Sequence, residues 1–294
     1  MGYFKIVRVK KGCMAAVAAS LILLCGGAAS ALKTQDPEER KSLPIIMFHS
    51  VVKNESEEGE YVISTQTLES DIEYILGEGY TPILCSEAAD YVKGKGDLPE
   101  KPIVLSFDDG CFNNFLYVLP ILEKYDVKGV FAVVGEWCMA AGEEASPSPA
   151  YSSMDIENVR TLALSGRCEI ANHTWDLHDC ISRKGVCRSS SEDEEEYRRM
   201  LSNDIYSVEK LLGGIDIKLK TYVYPYGFYD KEAEDIVKSF GYDVTLTCEE
   251  RVNDIAVGDY DCLYGMGRYN RPAGKVRRII SEKSYKFRKK KFTK

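Results

Sequence analysis

Two adjacent carboxylates follow an apolar segment of the chain and could take part in catalysis. The run PIVLSF begins at Pro102 and predicts a buried strand, and Asp108, Asp109 and Gly110 follow it directly. Neighbouring carboxylates repel each other unless a cation or a proton distinguishes them, so one metal ligand and one general base is a natural division of roles. Taken alone, the pair could also form an Asx turn or a helix N-cap.

Histidine is rare in this chain, and two of its three copies fall in one short segment. His173 and His178 lie in NHTWDLHD, directly after the predicted strand CEIAN, whereas His49 is far away in sequence. On a helix their side chains would point roughly 140° apart, so a strand end and loop suit shared ligation better. Two imidazoles and the Asp109 carboxylate leave coordination positions open for water and substrate, as in catalytic zinc sites. The two segments together predict a hydrolytic metal site.

The elements that must position these residues alternate between strands and helices. The predicted strands are PIIMFHSV, PIVLSF, GVFAVV, CEIAN, KTYVYP and DVTLT. The predicted helices lie in 67–76, EAADYVK, NNFLYVLPILEKY, 154–164, EEEYRRMLSNDIYSVEKLL and KEAEDIVKSF. Nearly continuous apolar strands between helices indicate a parallel sheet covered on both faces, as a barrel or a doubly wound layer. EGEYV near Glu58 and GEEASPSPAYSS from Gly142 are predicted to be irregular insertions.

Three motifs resemble those of the NodB-type polysaccharide deacetylases, carbohydrate esterase family 4. They are LSFDDG (105–110), HTWDLH (173–178) and YPYG (224–227), and they occur in the order seen in the family. A further segment, LPIIMFHSVV (43–52), is similar to an N-terminal strand that carries an active-site histidine in one subgroup. The resemblance covers residues 43 to about 272 and implies an α/β fold, a distorted (β/α)7 barrel.

The same resemblance implies roles for individual residues. Asp108 matches the catalytic base, and the metal ligands are Asp109, His173 and His178. One divalent metal ion is therefore expected, and zinc is the expected metal. Thr174 matches a Ser or Thr that pins the histidine loop in the family.

The resemblance also implies that the loop YPYG helps to bind the acetyl group. Pro225 and Tyr226 match the segment whose backbone N–H helps to bind the acetyl oxygen, which gives Tyr226 a catalytic and a substrate-binding role. Trp175, beside the metal-ligand histidine, is a candidate for stacking on a sugar ring, as is the Tyr226 ring.

The chain departs from the family pattern at three positions. Val223 stands where the third motif often has an arginine that orients the base. The late leucine-histidine motif that usually provides the general acid is absent, because no histidine follows His178. His49 becomes the candidate acid, although a hydrogen-bonded histidine at the barrel mouth would have the same sequence signature. No aspartate partner for the acid can be identified from the sequence.

These residues predict a metal-dependent hydrolase that removes N-acetyl groups from an extracellular amino-sugar polymer. Peptidoglycan, poly-N-acetylglucosamine and a chitin-like oligomer all suit the resemblance, and a monomer is expected. One alternative is a catalytically impaired family member that binds glycans, since the motif arginine is missing. Another is a phosphohydrolase with Asp108 as nucleophile, which the absence of glycine-rich phosphate loops disfavours.

The N-terminal segment has the features of an export signal. Four basic residues in 1–12 precede an uncharged run from Cys13 to Leu32, which includes the small-x-small triplet Ala29–Ser30–Ala31. A cleaved signal peptide and a retained membrane anchor both fit this pattern, with lipidation of Cys25 a lesser option. The predicted organisation is a signal or anchor (1–32), a linker (33–43), a NodB-like deacetylase domain (44–274) and a basic tail (275–294).

Charge is unevenly distributed along the chain. The net charge is −8, yet residues 275–294 contain ten basic residues against one acidic residue. The region between the two basic ends is therefore strongly acidic and would repel phosphates, so nucleic acid is not an expected partner. The tail is predicted to be solvated, with weak attraction to an anionic wall or membrane surface as the alternative.

Eight of the ten cysteines lie beyond the predicted leader. No CxxC pair occurs among them, which argues against a thiolate zinc site. An even number in an exported chain permits disulfides, and Cys180 and Cys187 could close a loop, but buried free thiols are an equal alternative.

Overall fold

Strands alternate with helices along the chain in the computed structural model, which describes residues 40–179 and 183–273. The strands are β1 (Lys41–Leu43), β2 (Ile45–Phe48), β3 (Ser50–Val52), β4 (Val62–Ser64), β5 (Thr81–Pro82), β6 (Pro102–Phe107), β7 (Gly129–Val133), β8 (Cys168–Asn172), β9 (Thr221–Val223), β10 (Val244–Leu246), β11 (Asn253–Ile255) and β12 (Tyr269–Asn270). The helices are α1 (Thr65–Gly77), α2 (Cys85–Val92), α3 (Leu119–Tyr125), α4 (Gly135–Ala141), α5 (Ile156–Leu164), α6 (Glu194–Gly213) and α7 (Lys231–Ser239). A π-helical turn, Asn114–Val118, precedes α3.

One curled parallel sheet is the centre of the fold. Its strands run in the order β10, β9, β8, β7, β6, β2 and β12, and β5 pairs with the start of β6. A parallel bridge joins Leu246 of β10 to Met266, just ahead of β12, so the sheet curls back towards its other edge. The curled sheet confirms the predicted α/β fold with a distorted barrel, rather than a doubly wound layer.

Alternate residues of the strands belong to two separate apolar clusters. In β6 and β7, Val104 and Val130 belong to one cluster, whereas Leu105 and Phe131 belong to the other. The first cluster contains small side chains and packs with α2, and the second packs against most of the remaining helices. This period of two is what a parallel sheet covered on both faces requires.

Four helices begin at side chains that cap their first turn. Ser64 accepts a hydrogen bond from the backbone of Thr67 at the start of α1, and Asp155, Asp193 and Asp230 cap α5, α6 and α7 in the same way. These side chains satisfy backbone N–H groups that have no partner within the helix. Local sequence thus sets where these helices begin.

The structure differs from the sequence prediction at several short elements. The predicted linker, 33–43, ends in a strand, because Lys41–Leu43 pairs antiparallel with Asn253–Ile255 and Leu43 is fully buried. Helix α4 and strands β11 and β12 were not predicted. They are short, and their apolar residues follow no clear period, so tertiary contacts rather than local sequence determine them.

Several predictions concern residues outside the described part of the chain. The predicted leader (1–32) and the basic tail (275–294) lie there, as does Cys180. Within the described ranges, no helix is long and apolar enough to cross a membrane. The seven cysteines in these ranges are all free thiols.

A buried ion pair fastens the chain after β12 to the first helix. Arg271 donates hydrogen bonds to both carboxylate oxygens of Asp71, at 2.6 and 3.0 Å, and both side chains are almost fully buried. Burial raises the pKa of Asp71 to about 6, although Arg271 opposes that shift. The pair therefore offsets much, but not all, of the cost of burying the carboxylate.

Removing one partner of this pair should destabilise the fold. We expect Arg271→Ala to lower the free energy of unfolding by roughly 3–5 kcal/mol, because Asp71 would be left buried without the group that holds it ionised. Arg160→Ala, which breaks an exposed pair with Glu157, should change it by less than about 0.5 kcal/mol. Denaturant unfolding at pH 7 measures both. The double variant Asp71→Leu/Arg271→Met should regain most of the loss; a further decrease would contradict this explanation.

Candidate active site

The predicted site residues follow four strands at the same edge of the sheet. Asp108 and Asp109 follow β6, His173 follows β8, the segment 224–227 follows β9, and His49 follows β2. Strands β6 and β8 both pair with β7, so the carboxylates and the histidine are separated by only one strand. Carboxyl ends of parallel strands are where α/β folds place their chemistry.

Asp109, His173 and His178 form a cluster that could hold a metal ion. Oδ1 of Asp109 lies 3.5 Å from Nε2 of His173 and 3.2 Å from Nε2 of His178, and the three donor atoms all lie within 4.8 Å of one another. Ligands of a tetrahedral zinc ion, about 2.0–2.1 Å from the metal, are separated by similar distances. Two nitrogens and one carboxylate oxygen are also a suitable donor set. The structure thus brings together the three residues that the ligand prediction requires.

Both imidazoles are held by hydrogen bonds from their other ring nitrogen. Nδ1 of His173 donates to the carbonyl of Val223 at 2.8 Å, and Nδ1 of His178 lies 3.0 Å from the Asp179 carboxylate. These bonds place the Nδ1–H of each ring on the side away from Asp109. Nε2 of each ring therefore points towards Asp109, as in known metal sites. Burial alone would lower the pKa of His178. Its hydrogen bonds to Asp109 and Asp179 act in the opposite direction, and the pKa lies above its ordinary value.

Asp108 is a buried carboxylate that stays ionised because an arginine lies against it. Arg268 donates to Oδ1 of Asp108 at 2.7 Å, and Ser106 Oγ donates to the same oxygen at 3.1 Å. Burial alone would raise the pKa of Asp108. The charges of Arg268, His173 and His49 and the hydrogen bond from Arg268 together outweigh burial, and the pKa falls below its ordinary value. An ionised, oriented carboxylate is what a general base requires.

Arg268 itself is fully enclosed in the fold. Its exposed fraction is 0%, and its Nε donates to the carbonyl of Thr247 while Nη1 also contacts Ser106 and Nη2 lies 3.8 Å from the sulfur of Cys248. The sequence prediction left open what replaces the motif arginine at Val223. Arg268 contacts the Asp108 carboxylate in place of the motif arginine, although the two residues are 160 positions apart in the sequence. No local motif marks it.

His49 lies close enough to the two aspartates for their charges to act on it. Burial lowers its pKa, and the charges of Asp108 and Asp109 oppose that shift. Its Nδ1 is buried and has no hydrogen-bond partner, and its ring packs edge-on against Tyr61. Its backbone carbonyl accepts a hydrogen bond from Asn114 at 2.6 Å, which fixes the end of β2. None of the carboxylates in the described part of the chain forms a hydrogen bond with this imidazole, consistent with the missing aspartate partner.

Three residues around the cluster adopt left-handed backbone conformations that are unfavourable for their types. Asp109, Thr174 and Tyr226 have φ of 69°, 74° and 55°. The case of Thr174 is the most costly because its side chain is β-branched. Its backbone N–H donates to Asn172 and its carbonyl accepts from Gly135, at 2.8 and 3.0 Å. Strain of this kind persists only where the surroundings enforce it, and it is concentrated at functional sites.

A buried aspartate from α6 holds the histidine loop from below. The carboxylate of Asp204 accepts hydrogen bonds from the backbone of Trp175 and Asp176, each at 3.0 Å. Burial raises the pKa of Asp204 to about 6, and the two backbone bonds limit that rise. The loop that carries His178 is thus anchored to a helix as well as to the sheet.

The turn at 225–227 places an aromatic ring beside the candidate metal ligand His178. Pro225 is buried, whereas the Tyr226 side chain is 55% exposed and its ring lies 5.1 Å from that of His178. Gly227 has a φ of 72°, and a Cβ there would come within 2.3 Å of the backbone nitrogen of Cys248. The turn therefore needs glycine at this position, and it presents Tyr226 to the site.

Trp137, rather than Trp175, is the tryptophan that faces the site. The ring of Trp137 lies edge-on to His178 with centroids 4.9 Å apart, and it lines a groove of about 370 Å3 together with Asp109. The ring of Trp175 lies against Gly135, and this partly buried side chain packs against the larger apolar cluster. Trp175 is not among the residues that line this groove, and its stacking on a sugar ring stays a prediction. Trp137 was missed because it lies on α4, a helix that the sequence pattern did not predict.

Comparison with known sequences adds a family relationship to this geometry. A family model described as polysaccharide deacetylase matches residues 95–245, about half of the chain. The poly-β-1,6-N-acetyl-D-glucosamine N-deacetylase of Escherichia coli K12 is 25% identical over 240 residues, which cover 74% of this chain and 35% of the relative. An enzyme of the same name from Staphylococcus aureus N315 is 24% identical, over 79% of this chain and 76% of the relative. The chain thus spans about a third of the length of the E. coli protein.

Solved structures show the same fold. IcaB from Ammonifex degensii superposes with a TM-score of 0.65 and 23% identity, over 81% of this chain and 95% of that one. A de-N-acetylase from Aggregatibacter actinomycetemcomitans gives a TM-score of 0.63 and 27% identity, over 78% and 94%. The curled sheet described above is therefore shared with these proteins.

Metal binding should depend on the two histidines and not on the neighbouring carboxylate. We expect His173→Ala and His178→Ala to weaken zinc binding by more than about 100-fold, because losing a ligand costs more than losing an outer hydrogen bond. Asp108→Asn should still bind one zinc ion per chain, since Asp108 is held by Arg268. Calorimetric titration of metal-free protein with zinc measures all three. Equal affinity in wild type and His178→Ala would rule out this site.

Proposed function

The chain belongs to the polysaccharide deacetylase family, and from that premise we propose that it is an exported, metal-dependent enzyme that removes N-acetyl groups from poly-β-1,6-N-acetyl-D-glucosamine. The observation that carries the proposal is the ionised Asp108 held beside the cluster of Asp109, His173 and His178. Base and ligand set together are what hydrolysis needs, and a surface that only binds glycans has no use for both. The choice of polymer rests on the printed activity of the E. coli and S. aureus relatives.

Each group at the site has a task in the proposed reaction. A divalent ion held by the three ligands, which we propose to be zinc, would polarise the acetyl carbonyl and make a bound water more acidic. Asp108 accepts the proton of the attacking water, and Arg268 keeps that carboxylate in place and ionised. The backbone N–H of Tyr226 donates to the carbonyl oxygen as negative charge develops on it, an interaction type worth roughly 3 kcal/mol.

His49 is proposed to protonate the departing amine. Because burial lowers its pKa, its protonated form is a stronger acid than an exposed histidine and releases its proton more readily. The charges of Asp108 and Asp109 stabilise that protonated form until the C–N bond breaks. The products are acetate and a free amino sugar.

The impaired, glycan-binding alternative loses its main support. It rested on the missing motif arginine, and Arg268 supplies a guanidinium to the same carboxylate from another part of the chain. Export is proposed from the predicted leader, which would bring the enzyme to an extracellular polymer, either released or held at the membrane if the segment is retained.

The proposed activity can be tested directly by acetate release. We expect the protein to release acetate from poly-β-1,6-N-acetylglucosamine faster than from peptidoglycan or a chitin oligomer. The rate should be lost with a chelator and restored by zinc. Asp108→Asn should reduce it by about 10²–10⁴-fold with metal content unchanged, since general base catalysis typically contributes that much. Full activity in this variant, or release that a chelator does not affect, would overturn the proposal.

Arg268 should determine the acid limb of the pH–rate profile. Its charge holds the pKa of Asp108 down, so the base stays ionised at mildly acidic pH. Arg268→Met should therefore shift the acid limb of kcat/KM to higher pH and reduce the rate at neutral pH, whereas Arg268→Lys should retain part of the shift because it keeps a positive charge. Zinc content and thermal unfolding of each variant control for loss of the fold. An unchanged acid limb in Arg268→Met would contradict this role.

A further inference from the structure

We propose that the segment 142–153 forms a second sugar subsite, with Tyr151 stacking on the ring next to the one that loses its acetyl group. This inference rests on the proposed function, since it requires a polymeric amino-sugar substrate. The segment is one of the two irregular insertions that stood out in the sequence, and the mechanism above makes no use of it. It contains no helix or strand, yet it lies beside the metal ligands.

The groove next to the cluster extends from the metal ligands to this segment. Asp109 and Trp137 line it together with Tyr151, Ser152 and Ser153. Its volume of about 370 Å3 is in the range of small-molecule sites. A sugar whose acetyl group reaches Asp109 would therefore have its neighbour in the polymer near Tyr151.

The side chain of Tyr151 is unusually exposed for an aromatic residue. Its exposed fraction is 83%, which is higher than that of any other large apolar side chain described. A large ring that stays exposed to water lacks the favourable free energy of burial, which is a free-energy cost relative to a buried ring. Sugar rings present apolar C–H faces that can cover such a ring, so a ligand of this chemistry would remove that cost.

The backbone under Tyr151 is nevertheless held firmly. The carbonyl of Ser152 accepts from the backbone of Phe112 at 2.9 Å, and the backbone of Met154 donates to the carbonyl of Gly110 at 2.8 Å. Ser152 Oγ donates to Glu144 at 2.6 Å. This wall of the groove is thus attached to the residues that directly follow the ligand Asp109. The position of Tyr151 relative to the metal site is set by these bonds.

A buried asparagine fastens the segment to a second part of the site. Nδ2 of Asn113 donates to the carbonyl of Pro149 at 2.9 Å and to Ser50 Oγ at 2.7 Å, and its Oδ1 accepts from the backbone of Val51 at 3.4 Å. Strand β3, which carries Ser50 and Val51, directly follows His49. Because the wall is ordered before any sugar arrives, little conformational entropy is lost on binding. The geometry favours a preformed platform over a mobile lid.

The subsite predicts that catalysis depends on the length of the substrate. We expect Tyr151→Ala to lower kcat/KM for a β-1,6-linked N-acetylglucosamine pentamer by about three- to tenfold, mainly through KM, as loss of one stacking contact implies. Its kcat/KM for a small acetyl ester should equal that of wild type, because the ester cannot reach the platform. Tyr151→Phe should behave as wild type on both substrates, since it keeps the ring.

Tyr206→Ala serves as the matched control, because this tyrosine is also exposed but lies on α6 outside the groove lining. Unchanged kcat/KM for the pentamer in Tyr151→Ala, or an equal loss on pentamer and ester, would overturn the inference while the proposed function stands. Failure of the wild-type enzyme to release acetate from any of the glycans would instead overturn the proposed function, and the subsite with it.

Discussion

The ion pair between Asp108 and Arg268 is the interaction on which the site and the fold both depend. A carboxylate buried inside a curled sheet would be protonated or would destabilise the fold unless a positive charge accompanied it. Arg268 provides that charge from the segment between β10 and β12, where the sheet curls back. The contact that keeps the base ionised is thus made by the same segment that completes the sheet. The ionised state of the proposed base and the closure of the sheet therefore depend on the same segment.

Around that pair, the strands position the site residues, and the loops hold some of them in strained backbone conformations. Three of the loops that surround the metal cluster each carry one residue in a left-handed conformation, at Asp109, Thr174 and Tyr226. Hydrogen bonds from neighbouring elements hold them there, among them those of Asn172 to the Thr174 backbone and of Asp204 to the next two residues. The site is therefore rigid because the scaffold over-determines it, which suits a ligand set whose donor atoms must converge on one point.

Sequence alone predicted the parts of this structure that local pattern controls. Apolar runs gave β6 and β8 with their correct bounds, and the residues after them, Asp109 and His173, lie where a ligand set needs them. Arg268 could not be predicted, because its role depends on a contact across 160 residues and no local motif accompanies it. Trp137 was not predicted for a related reason, since helix α4, which carries it, has too weak a pattern to be recognised from the sequence.

The late position of Arg268 and Arg271 in the chain has a consequence for how the protein is made. A polypeptide emerging with its N-terminus first exposes both aspartates and both histidines long before either arginine is available. Until residue 271 has emerged, Asp71 and Asp108 have no cationic partner, so neither the anchor on α1 nor the catalytic base can form. Pairings this distant in sequence are slow to close and cannot form while the chain is still being threaded. The contacts of Asp71 with Arg271 and of Asp108 with Arg268 are therefore completed late in the assembly of the fold.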